Sequence, residues 1–253
     1  MYRPRVIPIL LLQNKGLVKS EQFAKHRYIG DPINAVKIFN DLQADELVFL
    51  DILASQENRT IALDFVRKVG EEANMPFAVG GGITTIQQIQ DILAAGAEKV
   101  VLNSIALLNP SFVRDAADTF GSSTVCVCID VKKDFLGRLR VWSHAGSKKQ
   151  SYSPVDFAKL MEQQGAGELI IQSIEKDGTM TGYDLPLIES IATAVTIPVV
   201  AAGGAGKLSD FKSAVEKGYA SAVAAGSLFV YHGPRKGILI NYPDKKTLID
   251  IFK

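Results

Sequence analysis

Two glycine clusters are the residues of this chain best suited to chemistry, because they could hold phosphate groups. They are Gly80–Gly82 and Gly203–Gly206, and each follows a short apolar run and precedes an amphipathic helical pattern. Glycine lets backbone N–H groups approach a ligand closely, and a helix N-terminus favours an anion. The clusters therefore predict two equivalent phosphate sites and a ligand with a phosphate at each end.

The surroundings of the two clusters repeat along the chain at a fixed offset of 122 residues. Pro76 corresponds to Pro198 and Gly96 to Gly218, and no gap is needed across the unit. Each copy reads as an apolar β-rich run, glycines, a helix and a second apolar run, which is a βαβ unit. We therefore predict two similar halves, approximately residues 1–122 and 123–253.

Asp130 is the best candidate for acid–base chemistry. It ends an apolar, strand-like run. A carboxylate there is partly desolvated, and its surroundings can shift its pKa. Its neighbour Lys132 either binds substrate or faces solvent. The other polar residues that follow apolar runs are candidates for ligand contacts or for ordinary turns and helix caps; they are Asp51, Asn103, Ser104, Gln172, Ser173, Asp177, Gly178, Thr179, Gly226 and Ser227.

Eight alternations of strand and helix are expected to position these residues. The predicted strands are 5–12, 47–52, 77–81, 99–103, 124–130, 168–173, 197–202 and 221–225, all rich in Val, Ile or Leu. The predicted helices are 32–44, 58–74, 85–95, 109–120, 154–165, 184–194, 207–218 and 244–252. Asp31-Pro32, Asn109-Pro110 and Ser153-Pro154 look like N-caps followed by proline. Eight such units in one domain, residues 1–253, predict an α/β (β/α)8 barrel whose ligands lie where strands end in loops.

The composition is that of an ordinary globular enzyme. Hydrophobic residues make up 47% of the chain and charged residues 22%, and the net charge is +1. This charge predicts no general attraction to nucleic acid or to an anionic membrane.

Cys126 and Cys128 stand two apart in a strand and cannot easily bridge each other. We expect a cytoplasmic protein, because its two cysteines do not form a disulfide. We also expect no metal or other cofactor, because two cysteines and the scattered His26, His144 and His232 make a poor zinc site.

Several long runs make the chain similar to a known family. They are ADELVFLDILAS, PFAVGGGI, NPSFVRDAADTFGS, GAGELIIQSIEKDGTMTGYD and AAGGAGKLSDF, together with the strand that ends in Ile129-Asp130. In these runs the chain resembles the HisF family, the cyclase subunit of imidazole glycerol phosphate synthase, over essentially its whole length. The resemblance implies a (β/α)8 barrel of two half-barrels. It also implies a groove for a bisphosphorylated ribonucleotide and a glutaminase subunit at the N-terminal face, which sends ammonia through the barrel.

The resemblance also implies roles for individual residues. It places Lys19 and Asp51 against the substrate and Asp130 as the catalytic aspartate at the end of the fifth strand. It places the two phosphates on these residues: Gly81, Gly82, Asn103 and Ser104 at one end, and Asp177, Gly178, Gly204, Ala225 and Gly226 at the other.

The family's other catalytic aspartate, at the end of the first strand, has no counterpart here. Counting back from Lys19 puts Leu11 at that position, and a register shifted by one puts Leu12 there. Residues 6–15, VIPILLLQNK, contain no Asp or Glu, so neither register restores a carboxylate. A positioned general acid or base contributes roughly 10²- to 10⁴-fold in rate, so the sequence predicts crippled cyclisation.

Four charged residues stand at the N-terminal ends of predicted strands, two of each sign; they are Arg5, Glu46, Lys99 and Glu168. They match the family's gate for ammonia. The alternative is that a ring of salt bridges only stabilises the barrel floor. Above them, the residues expected to point inwards are mostly Val, Leu, Ile, Ala and Cys, which suits the passage of neutral ammonia.

The segment after the last strand, residues 231–243, is longer than the short link expected there and carries Arg235 and Lys236. The sequence leaves three interpretations open: a lid over the site, a surface patch that binds a partner, or a solvated turn. Together with the lost carboxylate, it resembles HisF paralogues encoded with surface-polysaccharide genes, which pass ammonia to a separate enzyme that amidinates a sugar.

Two classes of function follow from these features. One is an ammonia-conducting subunit with a third, sugar-amidinating partner. The other is a cyclase that forms imidazole glycerol phosphate with Asp130 as general acid and base. The missing carboxylate favours the first, whereas the two phosphate sites favour the second. A sugar-phosphate isomerase on the sister half-barrel fold also needs two aspartates, so Leu11 argues against it.

Overall fold

The computed structural model describes residues 3–253 and confirms the predicted (β/α)8 barrel. Eight parallel strands close into a ring, because β1 pairs with both β2 and β8 and each remaining strand pairs with its neighbours in order. The strands are β1 (Arg5–Gln13), β2 (Leu47–Asp51), β3 (Phe77–Gly80), β4 (Lys99–Leu102), β5 (Val125–Lys133), β6 (Glu168–Ser173), β7 (Val199–Ala202) and β8 (Ala222–Ala225). We call the carboxyl ends of these strands the upper end of the barrel and the amino ends the lower end.

Helices cover the outside of the barrel. They are α1 (Pro32–Asp41), α2 (Leu63–Glu72), α3 (Ile86–Ala94), α4 (Ser104–Leu108), α5 (Ser111–Phe120), α6 (Pro154–Gln163), α7 (Leu185–Ala192), α8 (Leu208–Glu216) and α9 (Lys245–Ile251). The short α4 is the one helix of this set that the sequence pattern did not predict. Within the described residues, no helix is both long and apolar enough to cross a bilayer.

Two of the three predicted N-caps are confirmed. Asp31 accepts a hydrogen bond from the backbone N–H of Asn34 at 2.9 Å, and Ser153 caps α6 in the same way. The third, Asn109, is wrong. Asn109 is the C-cap of α4, its backbone N–H donates to Ile105, and α5 begins only at Ser111. The side-chain oxygen of Asn109 accepts a hydrogen bond from the Ser111 hydroxyl at 2.8 Å and caps no backbone N–H of α5.

Side chains alternate between two apolar layers, as expected for strands buried on both faces. One layer lies between the barrel and the helices. The other fills the barrel itself and consists of Ile7, Ile9, Val48, Ala78, Val101, Cys126, Cys128, Ile170, Val200, Ala202, Ala222 and Ala224. Both cysteines point into the barrel, as the sequence analysis expected of its inward-facing residues.

Three hairpins extend from the upper end of the barrel, and their added strands were not among those predicted from the sequence. The β1 hairpin joins Gly16–Glu21 to Ala24–Gly30, and its first strand pairs with the end of β1. The β5 hairpin extends β5 antiparallel through Leu139–Ser143 to Lys148–Lys149. The β8 hairpin joins Tyr231–His232 to Gly237–Ile238.

Candidate functional site

A cavity of about 940 Å³ opens at the upper end of the barrel. All of the residues predicted to bind substrate or phosphate line it, and so does Asp130; the binding residues are Lys19, Asp51, Gly81, Gly82, Asn103, Ser104, Asp177, Gly178, Gly204, Ala225 and Gly226. They come from the ends of seven strands and from the β1 hairpin. The barrel thus brings together residues more than 200 positions apart in the chain.

Asp130 lies at the bottom of this cavity and is only 7% exposed. Asn103 donates a hydrogen bond to its Oδ2 at 3.1 Å, and the Cys128 thiol lies 3.6 Å from its Oδ1. Burial raises the pKa of Asp130 to about 7, although the contacts with Cys128 and Asn103 oppose the rise. A carboxyl group that titrates near neutral pH suits a general acid or base.

The pKa of Asp130 predicts a pH-dependent cost to stability. In the unfolded chain the carboxyl loses its proton near pH 4, whereas the native state holds it to about pH 7. The native state therefore binds more protons across this window, and the free energy of unfolding falls as the pH rises. Asp130→Asn removes this cost, so its melting temperature should exceed the wild-type value increasingly from pH 5 to pH 8, by on the order of 10 °C at most.

Thermal unfolding at several pH values measures this difference. Asp118→Asn, on the exposed surface of α5, is the matched control. A difference between Asp130→Asn and wild type that does not change with pH would contradict the raised pKa.

Leu11, rather than Leu12, faces the upper cavity at the end of β1. Leu11 lines the upper cavity, whereas Leu12 is 4% exposed and packs in the layer between barrel and helices. The register of β1 is fixed by its pairing, which sets Leu11 opposite Leu50 of β2 and Val18 of the β1 hairpin. Of the two residues that the sequence left open for this position, only Leu11 faces the cavity.

The first glycine cluster forms one wall of the cavity. Gly81 and Gly82 both have positive φ, at 136° and 64°, and a Cβ on Gly82 would lie 1.8 Å from the carbonyl oxygen of Arg59. Only glycine fits this position. Within residues 3–253, the backbone N–H groups of Gly82 and Ser104 donate no hydrogen bond, so both are open to an anion.

Asp51 supports this wall from behind. Its carboxylate accepts hydrogen bonds from Arg59 at 2.6 Å and from the backbone N–H groups of Leu53 and Ala54 at 3.1 Å. Asp51 thereby fixes the loop that carries Arg59 against Gly82. The carboxylate is thus occupied by its own loop, although Asp51 lines the cavity.

The second glycine cluster forms the opposite wall, where Lys19 adds a positive charge. A Cβ on Gly226 would lie 2.3 Å from Lys19 Nζ, which donates to the carbonyl oxygen of Ile9 at 2.6 Å. Burial lowers the pKa of Lys19 to about 8, although Asp177 favours its charged form. The N–H groups of Gly204 and Gly226 have no acceptor among the described residues.

Asp177 is held firmly in place. Its carboxylate accepts hydrogen bonds from Ser20 at 2.9 Å and Gln172 at 3.0 Å, and its backbone N–H donates to Ser173. Burial raises the pKa of Asp177, while Ser20 and Lys19 oppose the rise. The adjacent Gly178 has a φ of 69° and brings its backbone against that of Ser20.

The two walls predict where anions bind. In a crystal grown with sulfate, one anion should lie on the N–H groups of Gly82, Asn103 and Ser104, and another on those of Gly204 and Gly226, because each is an open donor cluster. Difference density at high sulfate is the measurement. Finding only water at both places would refute the prediction.

A closed ring of charges lies at the lower end of the barrel. Arg5 bonds to Glu46 and Glu168, and Lys99 bonds to the same two carboxylates at 3.0 and 3.1 Å. Burial opposes the charged form of Lys99, yet the carboxylates of Glu168 and Glu46 outweigh it and raise the pKa of Lys99. The four predicted gate residues therefore form one connected ring, in which cations and carboxylates alternate.

An apolar interior separates this ring from the upper cavity. Directly above the ring is a void of about 10 Å³, bordered by Ile7, Cys126 and Ile170. Such a void has the volume of about one water-sized sphere. The described side chains that fill the interior above it are Ala, Val, Ile and Cys, all of which are uncharged.

Sequence reasoning missed several residues of the upper site. Phe23 of the β1 hairpin meets the β5 hairpin over the cavity, since a Cβ on Gly146 would lie 3.3 Å from its ring. His26 and His144 line the same cavity, although they are far apart in the sequence. Within residues 3–253, no three His, Cys, Asp or Glu side chains come together to hold a metal ion.

Comparisons with known proteins identify the family of this chain. The family model described as histidine biosynthesis protein matches residues 5–234. The chain is 45% identical to a Pseudomonas aeruginosa protein named "Putative imidazole glycerol phosphate synthase subunit hisF2" over 248 residues, covering 98% of this chain and 99% of that one. It is 44% identical to the imidazole glycerol phosphate synthase subunit HisF of Alkaliphilus metalliredigens over 232 residues, covering 92% of each. These matches confirm the resemblance: the chain belongs to the histidine biosynthesis protein family, as a HisF-like member.

Proposed function

We propose that this chain is the synthase subunit of a glutamine amidotransferase whose task is to deliver ammonia. A HisH-like glutaminase docks at the lower end and releases ammonia into the barrel. The ammonia leaves at the upper end for a separate enzyme that amidinates a sugar in polysaccharide biosynthesis. The single observation that carries this proposal is Leu11, which stands in the upper cavity where the family's cyclases have an aspartate.

Cyclisation needs two proton-transferring groups, and the described cavity offers only one in the family's positions. Asp130 titrates near pH 7, but a leucine side chain can neither donate nor accept a proton. Losing one positioned acid or base lowers a rate by roughly 10²- to 10⁴-fold. The neighbours of Leu11 on its two paired strands, Leu50 and Val18, are apolar too and supply no substitute.

The lower half of the barrel, by contrast, has two features that suit ammonia transfer: a closed ring of charges at the entrance and an apolar interior above it. The ring of Arg5, Glu46, Lys99 and Glu168 closes the entrance, and the interior above it is apolar. Neutral ammonia crosses such an interior at low cost, whereas an ammonium ion would lose its hydration. This combination supports conduction with the ring as a gate.

A second candidate is the complete cyclase, which forms imidazole glycerol phosphate for histidine biosynthesis. The observation in its favour is that both glycine walls are intact, since a pure conduit needs no phosphate site. A phosphorylated small-molecule ligand bound between the walls accounts for them within the first proposal.

Deleting the gene separates the two candidates. The proposal predicts that cells without this chain grow without added histidine and lose the amidinated sugar from their surface polysaccharide, measured by mass spectrometry of the released sugars. A requirement for histidine with an unchanged polysaccharide would overturn it in favour of the cyclase. Restoring the gene is the control.

A further inference from the structure

Exposed large apolar side chains concentrate at the upper end of the barrel. Eight such side chains are found among the described residues, and six of them lie in segments that follow the carboxyl ends of barrel strands: Tyr28, Leu108, Phe135, Leu136, Ile238 and Leu239. The other two are Ile38 on α1 and Tyr219 at the lower end. Scattered single residues of this kind are normal on a surface, whereas a cluster around one opening marks a contact site.

Basic residues concentrate at the same end, although the net charge of the chain is only +1. The segments 14–31, 131–153 and 226–244, which contain the three hairpins, hold twelve of the 28 basic and four of the 27 acidic residues. Their net charge is therefore +8, against −7 for the rest of the chain. A field of this size steers a partner of opposite charge to the upper end.

The β5 hairpin presents its apolar tip on a rigid turn. Phe135 is 87% exposed and Leu136 is 59% exposed. Between the two strands, the Asp134 carboxylate accepts hydrogen bonds from the backbone N–H groups of Leu136 and Arg138 at 2.9 and 3.0 Å. A surface that is already ordered loses little entropy on binding.

Basic side chains surround this tip. Lys149 Nζ lies 5.5 Å from the centre of the Phe135 ring, and Lys132 Nζ lies 5.3 Å from the centre of the Trp142 ring. The other basic residues of the hairpin are Lys133, Arg138, Arg140 and Lys148. An apolar centre with a charged rim is the usual build of a protein interface.

The β8 hairpin extends the same surface. Its Tyr231 ring lies 5.7 Å from the guanidinium of Arg27 and 5.9 Å from Lys236 Nζ, and Lys236 also lies 3.9 Å from Glu21 of the β1 hairpin. The hairpin is thus packed against its neighbour rather than free in solvent.

We propose that these three hairpins form the docking surface for the ammonia-accepting enzyme, which binds through an acidic face, with Phe135 and Leu136 as apolar anchors. This proposal rests on the proposed function, because ammonia leaves the barrel inside the same rim. A partner seated there receives ammonia before it escapes to water. An anionic bilayer would meet the same charges but would close the mouth against an acceptor, so the arrangement favours a protein.

Photo-crosslinking in cells that carry the gene tests the proposal. A benzophenone amino acid replaces Phe135, and in a matched control it replaces Tyr219, which is also exposed but lies at the lower end. Position 135 should give one adduct, absent at position 219, with an enzyme that uses ammonia from glutamine. Binding of that purified enzyme should weaken at least 30-fold in the Phe135→Ala/Leu136→Ala variant and remain unchanged in Tyr219→Ala.

Other outcomes would overturn the docking surface. They are equal adducts at both positions, no adduct at position 135, or an affinity that the double variant leaves unchanged. Binding to phosphatidylglycerol vesicles that is lost in the double variant, with no protein adduct, would assign the surface to a membrane. A separate assay measures whether the wild-type chain stimulates the glutaminase. Stimulation without docking would overturn only the docking proposal. No stimulation would overturn the proposed function itself.

Discussion

Leu11→Asp is expected to raise the formation of imidazole glycerol phosphate by at least about 100-fold over the wild-type chain. Leu11 lines the cavity, where we propose that it replaces the family's carboxylate, and Asp130, with a pKa of about 7, would supply the second group. The substitution therefore restores the pair of acids on which cyclisation in this family depends. Steady-state product formation from the phosphoribosyl formimino substrate, with ammonium salts as the nitrogen source, measures it.

Two controls make this result specific. Leu11→Asn has the shape of the aspartate but does not titrate, so it should leave the rate at the wild-type level. Leu11→Asp combined with Asp130→Asn should lose the gain again. A wild-type rate near that of ordinary family cyclases would show that the chain compensates for Leu11, and the proposal would be wrong.

Lys99→Ala is expected to uncouple the complex with the glutaminase. Glutamine hydrolysis continues, while the share of its nitrogen that reaches the acceptor falls and added ammonium salts restore the product. The reason is the ring at the lower end, where Lys99 is bonded to both Glu46 and Glu168. Its removal opens the entrance on one side and leaves Arg5 as the only cation of the ring. The ratio of product to glutamate is the measurement.

A structural role predicts a different outcome. If the ring only stabilises the barrel floor, Lys99→Ala lowers the melting temperature and leaves the ratio unchanged. Stability alone does not decide, since losing one partner costs several kcal/mol for a buried ion pair and well under 1 kcal/mol for a solvated one. Arg3→Ala is the matched control, because Arg3 pairs with Asp45 at the same end but outside the ring. Unchanged ratios in both Lys99→Ala and Glu46→Ala would rule out the gate.

The barrel could be predicted from the sequence because its strands are buried on both faces. Such strands read as short apolar runs, and both ends of β1, β2, β3, β4, β6 and β8 lie within one residue of the predicted bounds. The hairpins lack this signal. The strand Ala24–Gly30 is exposed along most of its length, so its residues carry no apolar pattern, and its pairing depends on β1.

The site was predictable where single residue types limit the backbone. The glycines at 81, 82 and 204 have positive φ and close contacts, which only glycine accepts. Contacts between distant side chains were not predictable in the same way. The pairing of Ser20 with Asp177 spans 157 positions and depends on how the β1 hairpin folds over the barrel. The assignment of individual site residues and the division into two half-barrels remain predictions.

The ratio of glutamate to imidazole product in the wild-type complex tests the central claim most directly. The chain and its glutaminase are supplied with glutamine and the phosphoribosyl formimino substrate, and both products are measured in the same reaction. The account predicts that glutamate exceeds imidazole glycerol phosphate by at least about 100-fold, because Leu11 leaves Asp130 without its partner acid. A ratio near one would contradict it and make the chain a cyclase.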